Sequence, residues 1–167
     1  LEGFSNRFKI AIDWDLIDSE LTGFPVLINI SDDSGIGGLD LTAIFDELAS
    51  DANRFKIAVT TDDGETQCPV EIEHWDDASE QAALHVKVPT IDADADTILY
   101  LYYDSTADDN TTYVGDTGDA AAQAVWDSDF EGVWHFGQDP TGTSLDSTDN
   151  EANLTDGGTV SAVTMAL

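Results

Sequence analysis

The most regular alternation of apolar and polar positions in this chain lies between Thr66 and Ser105. Cys68, Val70, Ile72 and His74 fall on one side of an extended run, and Pro69, Glu71, Glu73 and Trp75 on the other, because successive side chains of a strand point to opposite faces. Ala82, Leu84, Val86 and Val88 repeat the pattern with His85 and Lys87 opposite. Ile98 to Tyr103 is apolar throughout, which suits a strand covered on both faces. Upstream, Asn6–Ile12 (NRFKIAI) sets Phe8, Ile10 and Ile12 against Arg7, Lys9 and Ala11, and nearly the same heptad returns at Asn53–Val59 (NRFKIAV). Both read as strands with apolar residues inward and cations outward. Like charges on adjacent strands repel, so the two are expected not to be neighbours and to face acidic strands.

The remaining pattern fills in a sandwich. Phe24 to Ser31 (FPVLINIS) predicts a strand with Pro25 at its start, where a missing N–H is tolerated. Asp40 reads as the N-cap of a short helix carrying Leu41, Ile44, Phe45 and Leu48. Asp62-Asp63-Gly64 reads as a hairpin turn. Beyond Ser105 the composition shifts: a polar connection, one or two helical turns over Ala120–Trp126, a strand over Phe130–Phe136 (FEGVWHF), and a last strand over Thr159–Leu167. The expected fold is mainly β: an antiparallel, jelly-roll-like β-sandwich with one short helix over 1–112, a linker over 113–125, and the first strands of a second β module over 126–167.

Charge changes the picture more than composition does. The chain has 35 Asp and Glu against 5 Lys and Arg in 167 residues, a formal net charge of -30, spread over its turns. Such an excess repels itself and penalises the compact state in dilute salt. Molar salt shrinks the Debye length to ~3 Å and removes most of that penalty, so the charge reads as adaptation to a saline medium. The same balance excludes nucleic acid and anionic membrane surfaces as partners, because so few cations cannot neutralise a phosphate surface. No apolar run approaches the ~20 residues of a membrane span. Cys68 is the single cysteine and reads as a small core residue. The chain starts at Leu1 without a methionine, as expected of a processed product or a piece of something longer.

The blocks FPVLINIS, NRFKIAVTTDDG, VEIEHWD, LHVKVP and TILYLYYDS resemble, in that order, those of the bacterial and archaeal domain-of-unknown-function family numbered 2341. The resemblance runs from Asn6 to Ser105 and departs at Asp104, where the family carries glycine after Tyr102-Tyr103. In that family the module is commonly followed by a concanavalin A-like (laminin G-like) lectin domain. Val125–Phe136 (VWDSDFEGVWHF) and Asp146–Asn150 (DSTDN) are similar to the opening of one, with Asp149 in place of a usual glycine. The resemblance implies a large secreted, cell-surface or virion-appendage protein with no established enzymatic activity.

Candidate chemistry is sparse. Glu71, Glu73 and Trp75 share one predicted strand face, with Asp76 beside them. An exposed indole flanked by carboxylates would stack on a sugar ring and bind its hydroxyls. Alternatively, Trp75 closes one end of the sandwich and the glutamates pair with cations on a neighbouring strand. Asp92, Asp94 and Asp96 have the odd-position spacing of a calcium loop, but Thr97 and Tyr103 stand where an EF-hand needs glycine and glutamate. A solvated acidic turn is the competing reading. Asn29, Asn110 and Asn153 each begin a glycosylation sequon, Asn110 being the one in a predicted loop. No nucleophile elbow, phosphate-binding loop, HExxH or zinc-ligand spacing is present in the sequence, and no enzyme is expected. The expectation is a non-catalytic adhesion or receptor-binding module, with a surface glycan or glycoprotein as partner. The alternative is a structural spacer or an assembly subunit of an appendage, contacting other subunits or copies of itself.

Overall fold

The computed structural model describes residues 1–137 and 142–155. Two four-stranded sheets face each other. One has the order β1-β7-β3-β4 and the other β2-β6-β5-β8. The strands are β1 (Asn6–Ile12), β2 (Leu21–Ile30), β3 (Ile57–Thr61), β4 (Gln67–Cys68), β5 (Val70–Asp76), β6 (Gln81–Ile91), β7 (Thr97–Tyr103) and β8 (Val114–Asp116). All pairings are antiparallel except β5 with β8. Because β1 pairs with β7 and β2 with β6, the first two strands lie along the β6–β7 pair and roll with it. The result is the jelly-roll-like antiparallel sandwich that the alternation predicts. Two further short strands, β9 (Thr143–Ser144) and β10 (Leu154–Thr155), pair with each other. No helix of the described residues is long and apolar enough to cross a membrane.

The core lies between the sheets. Ile30, Val70, Ile72, Leu84 and Val86 from one sheet meet Ile57, Val59, Leu99 and Leu101 from the other. Each such side chain contributes about 1.5–3 kcal/mol by leaving water. Helix α1 (Ala43–Leu48) adds Ile44, Phe45 and Leu48 to the same cluster. Asp40 is engaged near its start as expected, its Oδ1 accepting from the Thr42 N–H at 2.8 Å, although Thr42 holds the cap position. The hairpin between β3 and β4 turns at Gly64, with φ +72°, and Asp63 Oδ1 accepts from the N–H groups of Glu65 and Thr66.

Several local expectations give way. Only the second half of NRFKIAV is strand, since β3 begins at Ile57 and Asn53 belongs to a 3-10 turn. The two heptads are separated by β7, and of their cations Arg54 meets a carboxylate on a strand, Asp116 of β8, whereas Arg7 and Lys56 are held otherwise. Arg7 lies 4.2 Å over the Tyr100 ring, Arg54 holds Asp116, and Lys56 Nζ donates to the Ser105 and Ala107 carbonyls. Pro25 sits inside β2 rather than at its start. Strand β2 is the edge of its sheet, where the absent N–H breaks no ladder bond. The run Phe130–Phe136 is not a strand. Residues 113–125, expected as a linker, contain β8 and helix α2 (Ala120–Gln123). The predicted strand Thr159–Leu167 lies outside the described residues.

Candidate functional site

The outer face of β5 and β6 carries a dense group of ionisable side chains: Glu71, Glu73 and His85. Glu71 and His85 are register partners there, and β8 runs parallel to β5 with Gly115 opposite Glu71. A Cβ at Gly115 would lie 2.8 Å from the Asp119 Cβ and 3.0 Å from the Ala122 N, so α2 crosses β8 as closely as it does only over glycine. The chain leaving α2 then folds down over the sheet.

That return makes Glu71 the hub. Its carboxylate is 0 % exposed. Oε1 accepts from Thr117 Oγ1 at 2.7 Å and Ser147 Oγ at 2.6 Å, with His135 Nε2 at 3.2 Å, and Oε2 accepts from Trp126 Nε1 at 2.6 Å. Burial raises the Glu71 pKa, but the donors from His135, Ser147, Thr117 and Trp126 outweigh it and hold the group below the usual carboxylate range. An ionised carboxylate only accepts, so His135 carries its proton on Nε2. For His135 burial works against the charged form, and the neighbouring Glu71 and Glu73 carboxylates outweigh it and raise the pKa.

Glu73 completes the group. Its Oε2 lies 2.7 Å from His85 Nε2 and 3.5 Å from His135 Nδ1. The two imidazoles stack at 4.7 Å with a 19° interplanar angle, and Trp126 closes over His85 at 5.3 Å. Among the described residues, Glu73, His85 and His135 are the one set of three whose ligating atoms all lie within 4.8 Å of one another. An open cleft of about 260 Å³, lined by Arg54, Glu73, Trp75, Asp116 and Thr117 among others, reaches Glu73 from solvent.

The residues singled out from sequence are not gathered into one site. Glu71 points away from the sandwich core as predicted, yet it is buried, because 117–147 covers it. The register shifts between Ile72 and His74, and this bulge reverses the alternation. Trp75 therefore pairs with core-facing Ala82 and packs on Phe45 at 5.1 Å, while His74, expected inward, is exposed. Trp75 is thus not the exposed indole of a sugar platform; it packs against the core, and its Nε1–H is buried without a partner among the described residues. Asp76 caps the β5–β6 turn through the N–H groups of Ala78 and Ser79.

Asp92, Asp94 and Asp96 occupy the β6–β7 turn without forming a convergent set. Asp92 Oδ1 accepts from the Asp94 N–H at 2.7 Å, and Asp96 Oδ1 from the Trp14 N–H at 3.4 Å. The Asn110 amide, in the sequon that falls in a predicted loop, donates to the Ile57 carbonyl and to Gln67 Oε1. His85, His135, Thr117, Trp126 and Ser147 are site residues that no sequence spacing announced, since they come together only through the docking of a distant segment.

A family model described as a domain of unknown function, DUF2341, matches residues 53–150. The chain belongs to the DUF2341 family. The match takes in NRFKIAVTTDDG, VEIEHWD, LHVKVP and TILYLYYDS, begins after FPVLINIS, and continues through β8, α2 and the docked segment. Glu71 and its four partners all lie inside the DUF2341 match. No curated protein and no solved structure matches the chain.

Proposed function

We propose that this DUF2341 chain is a non-catalytic structural module of a large extracellular protein or virion appendage, a rigid sandwich that fixes the direction of the chain following it. The Glu71 junction carries this reading. A carboxylate whose oxygens are filled by four donors of its own chain has no lone pair directed at a reacting atom, and its burial is stabilising only while all of those donors stay in place. Such a junction specifies one orientation. The docked segment, whose Val125–Phe136 and Asp146–Asn150 resemble the opening of a concanavalin A-like module, would be presented in that orientation to neighbouring subunits or copies of the same chain. Hydrogen exchange in molar salt tests this: the hydrogen-bonded backbone amides of 117–137 and 142–147, Val125, Val133 and Ser147 among them, should be protected on the timescale of the β5–β6 hairpin. Free exchange of that segment in the native chain would overturn the reading.

The net charge of -30 supports a saline setting for the module. The thermal midpoint should rise substantially from dilute buffer to molar NaCl as self-repulsion is screened. A flat response would remove this part of the proposal.

Adhesion to a surface glycan is a second reading, favoured by Trp14 rather than Trp75. Trp14 is 42 % exposed and Leu16 82 % exposed in the turn after β1, beside the acidic β6–β7 turn through Asp96. An exposed indole next to carboxylates is suited to stacking on a sugar and binding its hydroxyls. A glycan array in molar salt decides: a signal removed by Trp14→Ala and retained in a folded Asp76→Asn control supports adhesion, whereas a blank array leaves the structural role.

A further inference from the structure

We infer that Glu73, His85 and His135 form a binding site for a borderline divalent transition metal of the zinc class, bridging the sandwich and the segment docked on it. Both imidazoles meet Glu73 at one carboxylate oxygen. With Nε2–H of His135 directed at Glu71, a neutral His135 turns the lone pair of Nδ1 toward Glu73 Oε2 at 3.5 Å. His85 Nε2 approaches the same oxygen at 2.7 Å. A metal ion there would take the place of the proton that otherwise lies between each imidazole nitrogen and Glu73 Oε2.

The geometry suits the metal. Ligand bonds of ~2.0–2.2 Å hold tetrahedral ligand atoms roughly 3.3–3.5 Å apart. The His135–Glu73 separation already matches that spacing, and the His85 contact needs the Glu73 carboxylate to draw back by less than an ångström. The Glu73 side chain is 27 % exposed, against 13 % and 12 % for the two histidines, so it has room to move. Two imidazoles and one carboxylate favour zinc-class ions over calcium or magnesium, which take oxygen ligands. Glu71 acts as a positioning residue, fixing the His135 tautomer by accepting its other N–H, the arrangement that orients ligating histidines. The cleft at Glu73 supplies an entry path. The site does not depend on whether the module is structural or adhesive, because all of its ligands belong to this chain.

The test is a titration of the chelator-stripped whole chain with CoCl2 and then ZnCl2, in molar NaCl with excess MgCl2 to occupy the surface carboxylates. One equivalent of Co2+ should bind with the strong visible absorption of a low-coordinate site, and Zn2+ should displace it. His85→Ala, and separately the milder Glu73→Gln, should abolish one-to-one binding. Glu71→Gln should weaken it by about 10–100-fold while keeping the shape of the Co2+ spectrum. Absence of stoichiometric binding in a native chain whose Val125, Val133 and Ser147 amides remain protected would overturn the metal site and leave the junction standing. Binding unaltered in both His85→Ala and Glu73→Gln would overturn it as well.

Discussion

Within the sandwich the chain is held by apolar burial: Ile57, Leu84 and Leu99 are each 0 % exposed, and they meet across two sheets that would pack in much the same way with other aliphatic side chains. From Thr117 to Ser147 the attachment is polar. Thr117, Trp126, His135 and Ser147 all converge on Glu71. Asp146 organises the far end by accepting from the N–H groups of Val133, Thr148 and Ala152. The first arrangement tolerates change because the hydrophobic effect has no direction. The second is directional, and a single lost acceptor leaves several donors unsatisfied at once. The sandwich thus supplies most of the stability, and the junction supplies the register in which the next part of the chain is held.

Two substitutions separate these roles. Leu84→Ala opens a cavity at the centre of the apolar layer and should cost about 2–5 kcal/mol of global stability, read as a lower denaturant midpoint in molar salt. Glu71→Gln keeps size but turns part of an all-acceptor group into a donor facing donors, at about 1–3 kcal/mol. Its effect should be confined to the docked segment. The amides of Val125, Val133 and Ser147 should exchange faster while those of β6 and β7 keep their protection. Equal loss of protection in both regions would show that sandwich and junction form one cooperative unit.

The alternation of apolar residues revealed the sandwich because strands with one wet face had to bury the other; β6 follows it from Gln81 to Val88. Trp75 escaped for a definite reason. A bulge adds one residue to one strand, and a period of two carries no record of where that residue falls. Glu71 escaped for another. Alternation tells on which side of a strand a residue lies, not what later covers that side, and the covering groups here come 46 to 76 residues downstream. The aromatic run FEGVWHF looked like a strand because its apolar content is that of one. Its His135 instead reaches Glu71, and its Val133 N–H reaches Asp146. The histidines gave no metal spacing because they lie on β6 and on the docked segment, joined only by the fold.

Acid should loosen both regions in the same direction. The Thr106 hydroxyl and the Ser5 and Thr106 N–H groups hold the Asp104 pKa well below the ordinary carboxylate range. Burial raises that of Asp146, but its backbone donors outweigh the effect and it too is depressed. A carboxyl whose folded pKa lies below its unfolded value of ~3.9 stabilises the fold fully above that value. That contribution disappears as the pH falls through the lower, folded pKa. The thermal midpoint should therefore be insensitive to these two groups above about pH 5 and should fall steadily below pH 4. In molar salt, where the self-repulsion of the acidic surface is already screened, a midpoint that rises on acidification would contradict the assigned hydrogen bonds.

The smallest effect gives the finest test of separateness. Cys68 lies on β4, 0 % exposed, and burial, with a smaller contribution from the Asp63 charge, pushes its thiol up to about 11. At pH 8 roughly one such thiol in a thousand is ionised, and only the thiolate attacks a disulfide reagent. Labelling must therefore wait for the β3–β4 hairpin to open, which makes its rate a clock for the sandwich alone. Leu84→Ala should speed labelling, since it raises the population of open sandwich. Glu71→Gln should leave it unchanged if the junction can be released while the two sheets stay closed. Faster labelling in Glu71→Gln would mean that the polar hub also braces β4 through β5, which follows it after Pro69, and the two regions would then have to be treated as one.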